Sequence, residues 1–271
     1  MDMYVVMGNP IAHSKSPQIH AMFAAQTGQN LTYEKRLVPL DGFEAALRSF
    51  QQEGGKGCNI TLPFKEQAWA LVDQRSERAE QAGAVNTILF DQQGERFGDN
   101  TDGAGLIQDL RINHQVELAG RKILILGAGG AVRGLLPALL QEQPAEVIIA
   151  NRTLSRAEAL IDHFASHTRC QLRASSFDAA PLGCDVIING TSSGLSGAVP
   201  ALPPAAIKGA VCYDMLYADV PTPFLQWADQ HGASLMIDGL GMLVEQAAEA
   251  FYLWRGSRPE TAAVIQTLRQ P

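Results

Sequence analysis

The chain has 271 residues, of which 46% are hydrophobic and 18% charged, and it carries a formal net charge of −7. That length exceeds the usual single domain, so two cores are expected. The acidic balance leaves no basic surplus for neutralising nucleic-acid phosphates, and small molecules or other proteins remain as partners. The four cysteines, Cys58, Cys170, Cys184 and Cys212, are scattered without a C-x-x-C pair. They suggest neither a zinc site nor a disulfide framework, and fit free thiols in a reducing cytoplasm. The opening MDMYVVMGNP holds an apolar run too short for a signal peptide or a membrane span.

Residues 4–8 (YVVMG) predict a strand. The stretch IAHSKSPQIH at 11–20 leads into a helix over 16–28 closed by Gly28, with Ser16 read as the N-cap and Pro17 as the first helical residue. A strand over 31–38, a helix over 43–54 and a strand over 57–63 stopped by Pro63 follow. This βαβαβ rhythm predicts a mostly parallel sheet, with ligands beyond the carboxyl ends of its strands. Both IAHSKSP and TLPFK fall at such ends. GDNTDGAGLIQDL at 98–110 reads as a turn into a helix and as a hinge.

A second βαβ unit spans 121–141 and 145–165, with further strands at 184–190 and 210–216. Helices over 238–256 and 259–270 close the sequence, and they are expected to pack back on the first domain. The strand ILIL runs into Gly127-Ala128-Gly129-Gly130-Ala131-Val132 and then a helix pattern. Glycines there permit a tight turn and close approach of backbone N–H groups to a pyrophosphate at a helix N-terminus. The third fingerprint position holds Val132 rather than glycine or alanine; the bland alternative is a structural glycine turn. The next strand, EVIIA, ends without the carboxylate that would bind the ribose of NAD. It runs instead into Asn151-Arg152-Thr153, with Arg156 one turn on, donors that suit the 2′-phosphate of NADP. Arg152 and Arg156 also read as solvated charges at a helix start.

A hydride-transfer reaction needs a group that gives or takes a proton at the reacting oxygen. Lys65, at a strand-to-helix junction after NITLPF, and Asp102, in DNTDG, form a candidate pair at an interdomain cleft, with Lys65 as acid/base and Asp102 orienting it. Spacing alone equally allows a helix-start lysine and a capping aspartate.

Ten motifs occur in order between residues 14 and 248: SKSP, NITLPFKE, AGAVNT, GDNTDG, GAGGAVRG, NRTLSRAE, NGTSSG, YDML-Y, TPFL and DGLGMLVEQAA. Together they resemble the bacterial, biosynthetic shikimate dehydrogenases. The resemblance implies an α/β chain with an N-terminal substrate domain (1–101), a Rossmann-type NADP(H) domain (102–238) and C-terminal helices (239–271) returning to the first domain. It implies NADPH-dependent reduction of 3-dehydroshikimate to shikimate, within aromatic amino acid biosynthesis, by a cytoplasmic monomer or homodimer. Matched motif by motif, Ser14 and Ser16 would bind the substrate carboxylate, and Thr61, Lys65, Asn86, Asp102, Tyr217 and Gln246 its hydroxyls. Gly127, Ala128, Gly129, Gly130 and Ala131 would hold the pyrophosphate, and Asn151, Arg152, Thr153 and Arg156 the adenosine end. Met215 and Gly239 would meet the nicotinamide; Glu77 is a further cofactor contact or a solvated helix glutamate. Cys58 and Gly190 stand where alanine is expected. The alternatives are a quinate/shikimate dehydrogenase of broader cofactor use, a methylene-tetrahydrofolate dehydrogenase of shared architecture, which would leave SKSP and NTDG without a task, and a non-catalytic NADP-binding regulator.

Overall fold

In a computed structural model that describes residues 1–166 and 168–270, the chain divides into two compact units. One comprises Met1–Leu106 together with Leu243–Gln270, the other Ile107–Met242. Pro271, the end of the expected C-terminal segment, lies outside the described residues. Among those residues, no helix is long and apolar enough to cross a membrane.

The first unit opens with β1 (Asp2–Gly8), α1 (Ser16–Thr27), β2 (Leu31–Leu37), α2 (Phe43–Gln52) and β3 (Gly57–Ile60). Then come α3 (Lys65–Leu71), β4 (Gln74–Arg75), α4 (Glu77–Ala82), β5 (Thr87–Phe90), β6 (Arg96–Asp99) and the start of α5 (Asp102–Gln108). Its strands form one sheet in the order β2-β1-β3-β5-β6-β4. The pairs β1·β2, β1·β3 and β4·β6 are parallel, whereas β3·β5 and β5·β6 run antiparallel. The sheet is therefore more mixed than the βαβαβ rhythm suggests. The cause is a hairpin between β5 and β6, turned at Gly94 with φ of +87°, whose four-residue strands show too little periodicity to be read in advance. One face packs on α2 and α3 through Met7, Phe43, Leu47, Phe50, Ile60 and Phe64, with Phe43 and Phe64 stacked at 5.0 Å.

The second unit carries β7 (Lys122–Leu126), α6 (Gly130–Gln141), β8 (Glu146–Ala150), α7 (Leu154–Ala165), β9 (Gln171–Ser175), β10 (Val186–Asn189), β11 (Val211–Asp214), α8 (Pro223–Gln230) and β12 (Leu235–Asp238). These strands form an all-parallel sheet in the order β12-β11-β10-β7-β8-β9. KILIL, EVIIA and VIIN are continuous apolar runs because the central strands of a sheet covered on both faces are buried throughout. The edge strand β9 (QLRAS), with its polar residues exposed, is not among the strands expected from the sequence.

The tail forms α9 (Leu240–Arg255) and α10 (Ala262–Arg269). From Leu243 onward it belongs to the first unit, where Trp254 stacks on Tyr4 at 4.6 Å and donates its indole N–H to the Ile88 carbonyl at 3.0 Å.

Candidate active site and nucleotide cleft

Parallel pairing of β1 and β3 places their carboxyl ends side by side, with Met7 opposite Ile60. The loops that leave them adjoin: the Asn9 N–H donates to the Leu62 carbonyl at 3.0 Å, and a Cβ on Gly8 would lie 2.4 Å from the Thr61 methyl. The Ser14 and Thr61 loops therefore flank one end of the sheet. Here the capping assignment needs correction. Ser16 is the first residue of α1 and caps nothing; the residue at the cap position is Lys15, and the Ser16 N–H donates to the Ser14 hydroxyl at 3.3 Å. Ser14 and Ser16 hydroxyls also meet, at 3.1 Å. Pro17 blocks continuation upstream, since it lacks the N–H that an interior position would need.

Because β5 runs antiparallel to β3, its amino end arrives at the same edge, with Asn59 opposite Thr87 and Thr87 opposite Asp99. Asn86, Thr101 and Asp102 project just past these ends and form a buried polar cluster. Lys65, the first residue of α3, reaches it: its ammonium donates to the Asp102 carboxylate at 2.5 Å, with both side chains largely buried. The other Asp102 oxygen accepts from the Asn86 amide at 2.8 Å, and that amide also donates to the Thr101 hydroxyl at 3.0 Å. The Asn86 carbonyl accepts from the Thr101 N–H at 2.8 Å, so the amide is held at both ends. Gln246, on α9, brings its carbonyl to 3.5 Å from both Asn86 and Thr101. Of the side chains expected to surround a substrate, the structure thus brings together Lys65, Asp102, Asn86 and Gln246. Tyr217 belongs to the second unit, half-buried, and burial raises its phenol pKa. Glu77 is exposed in the first turn of α4 and accepts from Gln81 at 3.1 Å.

Sequence reasoning missed Thr101, Asn59, Thr87 and Asn100. The Asn100 carbonyl accepts the Asp102 N–H at 3.2 Å. Polar residues at strand ends look like turn residues until pairing shows that they are buried. Beneath the cluster, Asp99 is tied to Arg78 at 2.5 Å and to Ser76 at 2.5 Å. Burial would raise its carboxyl pKa, but the Arg78 guanidinium wins and holds it below the ordinary range.

The second unit holds a cleft of about 640 Å³ over the carboxyl ends of β7 and β10. Its walls include Gly127, Ala128, Gly129, Asn151 and Arg152, and, from a loop that sequence reasoning assigned no role, Thr191, Ser193 and Ser196. The chain leaves β7 through Gly127 at φ of +105°, a conformation other residues reach only with strain. A Cβ on Gly129 or Gly130 would meet nothing within 4 Å, so the turn before α6 is bare, as close approach of a phosphate requires. Gly130 and Ala131 form the first turn of that helix, while Thr153 and Arg156 are exposed at the start of α7. Asn151 turns its amide onto the Thr153 carbonyl at 2.8 Å. The 191–193 loop is anchored by Asn189, which accepts from Thr191 at 2.7 Å and donates to the buried Asp214 at 3.1 Å. Met215 and Gly239 are in direct contact: a Cβ on Gly239 would fall 2.2 Å from the Met215 carbonyl oxygen.

Residues 6–88 match the family described as shikimate dehydrogenase substrate binding domain, residues 110–198 shikimate / quinate 5-dehydrogenase, and residues 239–269 the shikimate 5′-dehydrogenase C-terminal domain. A shikimate dehydrogenase (NADP(+)) of Alkalilimnicola ehrlichii is 62% identical over 269 residues, covering 99% of this chain and 98% of that protein. The chain belongs to the shikimate dehydrogenase family. Among solved structures, an Ael1 enzyme from Pseudomonas putida superposes with a TM-score of 0.94 at 45% identity, covering 100% of this chain and 99% of that one. The shikimate 5-dehydrogenase of Thermus thermophilus, in complex with NADP(H) and shikimate, gives 0.89 at 34% identity, over 100% and 99% of the two chains.

Val132, which departs from the general dinucleotide fingerprint, and Gly190, which stands where alanine is expected, form one feature. A Cβ on Gly190 would lie 2.5 Å from a Val132 methyl. The large residue at 132 and the missing methyl at 190 are complementary halves of a single contact.

Proposed function

We propose that this protein catalyses the reversible, NADPH-dependent reduction of 3-dehydroshikimate to shikimate, in the cytoplasm and as a monomer or homodimer. The observation that carries the reading is the 2.5 Å pair of Lys65 and Asp102, buttressed by Asn86, at a sheet edge lined by hydroxyl and amide groups. Hydroxyls suit a polyhydroxylated ring acid: they hold a carboxylate without adding charge, and a wrong substrate would leave buried polar groups unpaired. Ser14 and Ser16 take the carboxylate; Thr61, Asn86, Gln246 and Tyr217 take ring hydroxyls.

The bare Gly127–Gly130 turn and the Asn151 and Arg152 walls of the cleft fit a dinucleotide bearing a 2′-phosphate. Gly127 to Ala131 hold the pyrophosphate, Asn151 to Arg156 the adenosine end, and Met215 and Gly239 flank the nicotinamide, with Glu77 a further contact. When bound, NADPH supplies the hydride. Lys65 then gives a proton from its ammonium to the substrate oxygen that becomes the new hydroxyl, and takes one back from that hydroxyl in the reverse direction. Asp102 holds the ammonium in place and balances its charge, while Asn86 prevents the carboxylate from turning away.

Mixing the protein with NADPH and 3-dehydroshikimate should deplete the reduced-cofactor absorbance; turnover confined to quinate and NAD would refute the reading. In Lys65→Ala, kcat should fall about 10²- to 10⁴-fold with NADPH affinity unchanged, as for a lost acid/base group. Unaltered turnover would remove Lys65 from this role.

A further inference from the structure

A chain of buried side chains runs from the Asp102 carboxylate into the core of the first unit. The Asn59 amide, at the end of β3, donates to the Thr87 hydroxyl at 3.0 Å and to the Asn86 backbone carbonyl at 3.3 Å. Thr87 donates to the Asn86 side-chain carbonyl at 2.9 Å. At the far end, the Tyr33 hydroxyl on β2 donates to the Asn59 carbonyl at 2.7 Å. Tyr33, Asn59, Thr87 and Asn86 are all at most 9% exposed. The Tyr33 ring is clamped flat against the buried His20 ring, with centroids 4.1 Å apart and planes 8° from parallel.

Each link in this chain has one polarity. A threonine hydroxyl has a single hydrogen, so Thr87 can donate to Asn86 only while Asn59 presents its NH₂ and not its carbonyl. Asn59 is held in one orientation from both ends: the Asn86 backbone carbonyl can only accept and takes its NH₂, and the Tyr33 O–H donates to its carbonyl, so removing the Tyr33 donor leaves that carbonyl short of a partner and loosens the hold. If Asn59 turned over, its carbonyl would draw the Thr87 hydrogen off Asn86. The Asn86 amide would then be held at its carbonyl by the Thr101 N–H, and its grip on Asp102 would loosen. The side chain of Ser16 also bears on the Tyr33 phenol, so the chain begins beside one of the two serines.

We propose that Tyr33 is a positioning residue for the acid–base pair, acting through Asn59, Thr87 and Asn86 to fix the carboxylate that holds Lys65. The proposal rests on the function given above and adds to it a residue on β2, remote in sequence from every motif of the site.

The test is a double-mutant cycle in kcat for NADPH oxidation on 3-dehydroshikimate, with Tyr33→Phe and Thr87→Val as the two changes. Tyr33→Phe keeps the ring against His20 and removes only the donor; Thr87→Val keeps the shape and removes the hydroxyl. Each should lower kcat about tenfold while the KM for 3-dehydroshikimate and for NADPH stays within about twofold. The double variant should be no slower than the slower single one, because both break the same chain. Thr87→Ser, which retains the hydroxyl, should keep kcat close to that of the unaltered protein. The positioning role is overturned if Tyr33→Phe retains full kcat, if the two losses multiply, or if Thr87→Ser is as slow as Thr87→Val. Any of those results beside an inactive Lys65→Ala leaves the catalytic reading standing, whereas an unaltered protein inert towards 3-dehydroshikimate refutes the reading itself.

Discussion

Gly190 and Val132 offer a quantitative test of how the nucleotide turn is built. In Gly190→Ala the new methyl would lie 2.5 Å from a Val132 methyl, 3.2 Å from the Met215 sulfur and 3.4 Å from the Leu126 carbonyl oxygen. The sulfur and the carbonyl oxygen leave room for small shifts, but the contact with Val132 does not. Val132 is fully buried in the first turns of α6, where a β-branched side chain has one favoured rotamer and cannot swing aside. Overpacking of this kind costs about 1–3 kcal/mol, which lowers the melting temperature by about 4–8 °C if the cost is near 2 kcal/mol. Strain relieved by moving α6 also shifts the turn at Gly127–Gly130, so the KM for NADPH should rise with little change in that for 3-dehydroshikimate. Val132→Ala alone removes two buried methyl groups and costs about 2 kcal/mol. Combined with Gly190→Ala it should recover stability and cofactor KM, a coupling of at least about 1 kcal/mol. Calorimetry and steady-state kinetics on the four proteins decide the matter. A fully stable Gly190→Ala, or a double variant no better than the sum of its parts, would refute the contact.

Replacing Arg152 by alanine should raise the KM for NADP about 10-fold or more and that for NAD hardly at all, since a charge-assisted bond to phosphate contributes about 1.5–3 kcal/mol; equal effects would exclude contact with the 2′-phosphate. His20 makes a separate prediction about acid. Its burial pushes the imidazole pKa down to about 3 from 6.5, overriding a small opposite pull from Asn59. Below pH 6.5 the unfolded chain therefore binds a proton that the fold refuses, and stability falls as pH falls. Between pH 7 and 5 the loss from this residue is about 2 kcal/mol. In His20→Phe that part of the slope should vanish from urea-unfolding curves, and an unchanged slope would show that another group titrates there.

The ladder of alternating strands and helices was legible because β1 and the central strands of the second unit are continuous apolar runs, α2 carries a strong apolar period, and α1 is bracketed by Pro17 and Gly28. The hairpin of β5 and β6 was not, for its short strands alternate weakly, and it made the first sheet mixed. The candidate site was legible in its chemistry but not in its supports. Lys65, Asp102 and Asn86 sit in recognisable motifs, while Tyr33 and Thr87 gain their meaning from pairing across the sheet. Two hydroxyls two residues apart can each cap a helix, and only the backbone at Lys15 decides that Ser14 receives the Ser16 N–H.

The first unit is closed by the far end of the chain: α9 delivers Gln246 to the polar cluster, Trp254 to Tyr4 and Ile88, and Arg255 to Asp2. A ribosome releases these residues after Ile107–Met242. Until then the sheet of the first unit has one face without its cover, while Ile107–Met242 already contains everything its own sheet needs. Synthesis therefore completes the residues of the second unit before those of the first. A chain ending at Met242 would have every wall of the Gly127–Ala201 cleft, while its Lys65–Asp102 cluster would lack Gln246.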